Sequence, residues 1–254
     1  MNDSEILRPI SVAAISGTHS HHSRLRLGNI SGDLLLHTGD LTQHGTKQEL
    51  QSAIEWLASL PFRHKVVVAG NHDIGLDKNC GYRSPFAQQF GTYATSEETE
   101  ELLASMFDHD ISYLSPETPS CKVCIDGNRL RIYGLPYSPR TVGPSAFMRS
   151  RVEQTWRDLD PELTYDILLS HAPPRGYFDL TRHGSHVGCD RFLEAIEDVR
   201  PTVAVFGHIH EVGGSKTVTW EDGKSTTLFS AGITSGDRTQ AAPTEFRLGI
   251  RRNL

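Results

Sequence analysis

Lys65-Val66-Val67-Val68-Ala69-Gly70-Asn71-His72-Asp73 decides how this chain is read. The valines and Ala69 make a short β-rich apolar run, the pattern of a buried strand. The polar group behind it ends the strand. Gly-Asn is ordinary turn chemistry, but a turn has no need of His and Asp after it. The same design recurs along the chain. Val12-Ala13-Ala14-Ile15 leads to Gly17-Thr18-His19, and Asp33-Leu34-Leu35-Leu36 leads to Gly39-Asp40. Ile167-Leu168-Leu169 leads to Ser170-His171, and Val203-Ala204-Val205-Phe206 leads to Gly207-His208-Ile209-His210. Residues at the carboxyl ends of such strands are where α/β folds place their chemistry. Here they are His, Asp and Asn, a metal-ligand set.

Between these clusters the signals alternate. Thr46-Lys47-Gln48-Glu49 is a capping-box pattern, and Leu50, Ile54, Leu57 and Leu60 follow at helical spacing before Pro61. Residues 74–118 read as an insertion over the sheet edge, with an acidic helix from about Glu97 to Phe107. Cys121–Ile125 and Leu130–Tyr133 flank Asp126-Gly127, the turn chemistry of a tight hairpin. A helix over Arg191–Val199 and a last hairpin around Glu221-Asp222-Gly223 complete the pattern. Strands, helices and hairpins in this mixture suit two facing mixed β-sheets flanked by helices, in one domain spanning residues 1–254.

Composition narrows the function. A net charge of −6 argues against a nucleic-acid surface, which favours a basic face. No apolar stretch approaches the roughly 20 residues that span a bilayer. The start of the chain, Met1-Asn2-Asp3-Ser4-Glu5, is unlike a secretory signal or transit peptide, so an intracellular, cytoplasmic setting is expected. Cys121 and Cys124 form a C-x-x-C with no second pair for a zinc ribbon, and they read as structural.

In order and content the five clusters resemble the calcineurin-like metallophosphoesterase superfamily. Its pattern is Asp-x-His, Gly-Asp, Gly-Asn-His-Asp/Glu, His, then Gly-His-x-His. Four clusters match fully. In the first, Gly17 stands where the family has aspartate. The resemblance implies an α/β fold, a four-layer α/β/β/α sandwich with metals at one end. It implies that Asp40 bridges two divalent ions (Mn, Fe or Zn). Asn71, His171 and His208 would complete the second position, and His19 and His210 the first. His72 would stand near the leaving group as general acid, with Asp73 holding its ring. The loop ending in Gly188-Cys189 looks like the small single-domain branch, and it places Asp179, His183 and His186 along the pocket.

Gly17 brings no carboxylate, and each missing carboxylate raises the electrostatic cost of holding two cations side by side. The first metal position is therefore expected to be weakened. The activity expected is hydrolysis of a small-molecule phosphoester or nucleotide, as a phosphodiesterase or phosphatase. The alternative is a weakly active or inactive relative that binds metal and nucleotide as a sensor or scaffold.

Overall fold

The computed structural model describes residues 8–25, 30–80, 89–139, 145–150, 156, 159–232 and 242–249. Thirteen strands and three α-helices are described. The first sheet contains β1 (Ile10–Ile15), β2 (Gly32–Thr38), β3 (Phe62–Val68), β4 (Ile111–Leu114) and β13 (Thr244–Leu248), in the order β13-β1-β2-β3-β4. The second contains β5 (Ser120–Ile125), β6 (Asn128–Leu135), β9 (Ile167–Ser170), β10 (Val203–Phe206), β11 (Gly214–Thr219) and β12 (Ser225–Ser230), ordered β11-β12-β10-β9-β6-β5. A short pair, β7 (Ser138–Pro139) and β8 (Met148–Arg149), stands apart.

Alternation along the strands builds four layers. Val12, Ala14, Leu34, Leu36, Val66 and Val68 meet Ile132, Ile167, Leu169, Val203 and Val205 between the sheets. The opposite face of the first sheet, including Ala13, Ile15, Leu35 and Val67, packs on Leu50, Ala53, Ile54 and Leu57 of α1 (Lys47–Ser59). Met106 of α2 (Ser96–Phe107) joins that layer. The outer face of the second sheet, including Tyr133, Leu168 and Ala204, packs on Phe192, Ala195 and Ile196 of α3 (Asp190–Val199). The fold is the expected α/β/β/α sandwich.

Local sequence signals explain the boundaries. Thr46 and Glu49 form the reciprocal capping box that opens α1. Asp126 and Gly127, both at positive φ, turn β5 into β6 in register Ile125↔Asn128. The 74–118 stretch was expected to lie over the sheet edge. It supplies the edge itself, because β4 pairs in parallel with β3 and α2 makes the crossover. Only four residues long, β4 carries too weak an apolar run to be read as a strand.

The strands β1, β2 and β3 run parallel, as do β6, β9, β10 and β12. Their carboxyl ends carry the polar clusters. At the other end, Asp33 accepts the Ser11 N–H (2.9 Å), the Ser11 hydroxyl (2.8 Å) and the Arg8 guanidinium (2.8 Å). Arg8 and Arg63 both reach on to Asp126 in the second sheet's hairpin. Burial opposes the Asp33 charge, but the Ser11 donors and Arg8 outweigh it and hold the carboxyl at about 2.

A carboxyl held below its unfolded value of 3.8 stabilises the fold above that pH, and the stabilisation is lost as pH falls through about 2. Asp33→Asn is therefore expected to lower Tm by a constant amount near neutrality. The gap to the parent should close as pH falls from about 4 toward about 2. Scanning calorimetry across that range checks it, and a gap that does not vary with pH would refute the assignment.

Candidate metal centre

Each site residue sits where a strand stops. Gly17 (φ 67), His19 (φ 45), Gly39 (φ 95), Asp40 (φ 57) and His208 (φ 67) all lie in the left-handed region, which turns the chain sharply out of the sheet. The loops are then tied to one another. The Gly17 N–H donates to the Gly39 carbonyl and the His19 N–H to the Asp40 carbonyl, both at 2.9 Å. The Gly207 N–H donates to the His171 carbonyl at 2.9 Å. A Cβ on Gly207 would collide with the Ser16 side chain, so a glycine there lets the two sheets close at this end.

Asp40 is the centre of the arrangement. Its Oδ1 accepts the His72 N–H at 2.9 Å. Its Oδ2 is 3.5 Å from His19 Nε2 and 3.5 Å from His171 Nε2. One carboxylate oxygen thus faces two imidazoles from different sheets. Burial works against this charge, but His171, His19 and His72 outweigh it and hold the carboxyl well below the usual range.

On one side of Asp40 lie His171, His208 and Asn71. His171 Nδ1 donates to the Thr38 carbonyl at 2.8 Å, which turns Nε2 into the site. That nitrogen is 2.9 Å from Asn71 Oδ1 and 3.1 Å from His208 Nδ1. Burial first, and His171 next, push the His208 imidazole down to about 3, so it is neutral and its lone pair is free to coordinate. Burial disfavours a charged His171, yet the Asp40 carboxylate raises it. Four lone-pair-bearing atoms therefore converge: His171 Nε2, His208 Nδ1, Asn71 Oδ1 and Asp40 Oδ2. A hydrogen on His208 Nδ1 or His171 Nε2, or a cation among the four, would relieve the facing lone pairs.

On the other side, His19 Nε2 is 3.3 Å from His210 Nε2, and the His19 and His72 rings meet edge to face at 4.5 Å. Ring nitrogens sharing a tetrahedral ion at about 2.05 Å lie about 3.3 Å apart. The donor spacings on both sides, 2.9 to 3.5 Å, suit shared divalent ions. The structure thus gathers His19, Asp40, Asn71, His72, His171, His208 and His210 at one place. The set fits the ions that the sequence resemblance implies. A Cβ on Gly17 would run into the His210 ring, so that ring already fills the space beside the backbone where a side chain would begin.

The expected role of Asp73 is corrected. Its carboxylate accepts from the Gly70 N–H (2.7 Å), the Leu41 N–H (3.3 Å), the Thr42 N–H (2.9 Å) and the Thr42 hydroxyl (2.7 Å). These bonds lock the loop after β3 to the loop after β2. Burial and the Asp40 charge push Asp73 up to about 6 against that pull. The His72 ring is held instead by the Gln43 carbonyl, 2.8 Å from Nδ1. A carbonyl only accepts, so Nδ1 carries the proton and Nε2 is the nitrogen left to act. Backbone acceptors such as Gln43 and Thr38 leave no mark in a sequence.

His37 and Thr18 also escaped the sequence reading. His37 lies fully buried behind the site, 3.2 Å from the Thr18 hydroxyl, and burial pushes it down to about 3. His21 precedes a short 3₁₀ turn (His22–Arg24) on the first loop. His186 and Asp179 pair on the loop after β9, whereas His183 is exposed beside Arg182.

Layers, strand-end loops and donor cluster together describe an α/β/β/α sandwich with a candidate metal centre at its strand ends. The chain belongs to the calcineurin-like phosphoesterase family, whose profile matches residues 11–212. It is 34% identical over 207 residues to human "Metallophosphoesterase domain-containing protein 1", covering 78% of this chain and 59% of that protein. A UPF0046 protein of Caenorhabditis elegans is 31% identical over 243 residues, covering 93% of this chain and 74% of that protein. A stretch of the "Probable rhamnogalacturonate lyase C" of Emericella nidulans is 34% identical over 215 residues, but these make up only 18% of that protein. Among solved structures, a dimetal phosphatase from Danio rerio shares the fold, with TM-score 0.53 and 12% identity over 95% of this chain and 93% of that one. TT1561 of Thermus thermophilus shares it at TM-score 0.54 and 12% identity, over 87% of this chain and 89% of that one.

Asp73→Asn would turn an amide N–H₂ toward backbone N–H donors. The variant is expected to lose about 3 kcal/mol of stability, the cost of breaking a buried charged hydrogen-bond set. Urea denaturation measures it. A loss below about 1 kcal/mol would mean the loop tie is dispensable.

Proposed function

We propose that the protein is a metal-dependent hydrolase of small-molecule phosphoesters or nucleotides, with a dinuclear centre whose first position is weakened by Gly17. The observation that carries this reading is the Asp40 Oδ2 atom, placed 3.5 Å from an imidazole on either side. Asp40, Asn71, His171 and His208 would hold one ion, and His19, Asp40 and His210 the other. Manganese, iron and zinc all suit imidazole and carboxylate donors. Such ions, when bound, polarise the phosphoryl oxygens and make water a nucleophile near neutral pH.

The remaining work falls to His72. The Gln43 carbonyl fixes its ring, and Nε2 faces away from that bond. Protonated there, it would deliver a proton to the departing oxygen, the step that limits esters of poor leaving groups. His72 is only half-buried, so a substrate can reach it. Cys80, Cys121, Cys124 and Cys189 form no disulfide with one another, which suits a reducing, intracellular compartment. Among the described residues, no helix is long and apolar enough to cross a membrane.

Gly17 also favours a second reading, a metal- and nucleotide-binding relative with little turnover. Elemental analysis beside hydrolysis of aryl phosphomonoesters and phosphodiesters separates the two. The first reading expects bound divalent metal and turnover that rises with added Mn²⁺. Nucleotide binding without turnover at millimolar Mn²⁺ would establish the second.

His72→Ala is expected to slow esters with poor leaving groups at least about a hundredfold, and activated aryl esters far less. Equal losses on both would remove the proton-donor role. Gly17→Asp, which must displace the His210 ring, is expected to raise metal content and rate. If neither changes, the account of the first position is wrong.

A further inference from the structure

The loop between β9 and α3 leaves the site directly after His171 and closes on itself before Cys189. Pro174 and Cys189 pair, Leu180 and His186 pair, and the Thr181 N–H donates to the Ser185 carbonyl at 3.0 Å. The tip of the loop touches the neighbouring strand-end loop, where the Arg182 N–H meets Glu211 Oε1 at 3.5 Å. Glu211 follows His210, so the loop is bracketed by two residues of the metal centre and its tip stands at the rim.

Inside the loop Asp179 is 1% exposed. Its Oδ2 accepts the Gly176 N–H (3.0 Å) and the Gly188 N–H (3.1 Å), and its Oδ1 accepts His186 Nδ1 at 2.6 Å. Burial opposes its charge, but His186 and the two glycine N–H groups outweigh it and lower the carboxyl below its ordinary value. His186 itself is exposed, with 52% of its side chain open to solvent. A buried carboxylate that holds Nδ1 turns Nε2 outward, as second-shell carboxylates do for working histidines.

The charge pattern of the loop is one-sided. Its only carboxylate is buried and already bonded, whereas Arg182, His183 and His186 are exposed and Arg175 is half-buried. Arg175 Nη1 is anchored to the His186 carbonyl at 2.9 Å. In a chain of net charge −6, this is a cationic lip beside the phosphoester centre. Glu211, an acidic side chain at its tip, accepts from the loop backbone.

We infer that this loop recognises a second anionic group on the substrate, a phosphate or carboxylate remote from the reacting phosphorus. Arg182 and His186 make the contact, with Asp179 as the positioning residue. The inference rests on the phosphoesterase reading and names the substrate class of that same site.

Two chromogenic substrates with the same leaving group test it: thymidine 5′-(4-nitrophenyl phosphate) and its 3′-phosphorylated counterpart. The Mn²⁺-loaded protein is expected to show the lower KM for the bisphosphate. His186→Ala and Arg182→Ala, both at exposed side chains, are each expected to reduce that preference about tenfold, and His186→Arg to retain it. Turnover of both substrates with equal KM, or a preference unchanged in both alanine variants, would overturn the loop's role and leave the phosphoesterase reading intact. Turnover of neither substrate would overturn this inference, and turnover of neither these nor 4-nitrophenyl phosphate would overturn the phosphoesterase reading as well.

Discussion

A carboxylate buried at the meeting of two sheets governs this end of the molecule. An uncompensated anion in a protein interior costs several kcal/mol, so Asp40 has to be surrounded by donors or cations. It receives the His72 N–H on one oxygen and faces His19 and His171 with the other. The residue sits in a left-handed conformation that costs an L-amino acid about 1 to 2 kcal/mol. That strain is held in place by the His19 N–H on the Asp40 carbonyl and by the Asp73 bonds to Leu41 and Thr42. Loops from β1, β2 and β3 are thus fixed with respect to one charge.

The sandwich is closed differently at its two ends. At the site end, His171 of the second sheet donates to Thr38 of the first, and Ser16 packs on Gly207. At the far end, Arg8 and Arg63 reach from the first sheet to Asp126 in the second. The far-end ion pairs are solvent-exposed and each contributes little. Apolar burial between the sheets provides the cohesion. The polar contacts at the site end set the separation of His171 and His208 from Asp40. The geometry of the donors is therefore a property of sheet packing rather than of any single loop.

Much of this was legible in the sequence because it is local. The valines of β3, the capping box at Thr46 and the Asp-Gly turn at 126–127 each report a backbone preference. The gathering of His19, Asp40, Asn71, His171, His208 and His210 was legible only because their clusters recur behind apolar strands in a known order. The partners that orient them were not legible. Gln43 and Thr38 act through backbone carbonyls, and any residue could supply those. Asp73 beside His72 invites pairing of neighbours, but the chain turns between them and directs the carboxylate to backbone amides instead. Residues 74–118 concealed a strand of the first sheet because β4 has only two fully buried residues among its four.

Gly17 is the position where sequence and geometry have to be weighed together. Its φ of 67 suits glycine, and among other residues it best suits aspartate and asparagine. A side chain there and the present place of the His210 ring are mutually exclusive, because the first atom of the side chain would meet that ring. The glycine is therefore matched by a neighbour whose ring occupies the space beside it and lies 3.3 Å from His19. Imidazoles donate lone pairs but no charge. A centre built from four imidazoles, one amide and a single carboxylate would leave two divalent ions short of negative charge. On the proposed reading an anionic substrate would supply that charge, so the affinity for ions and for phosphoester would rise together.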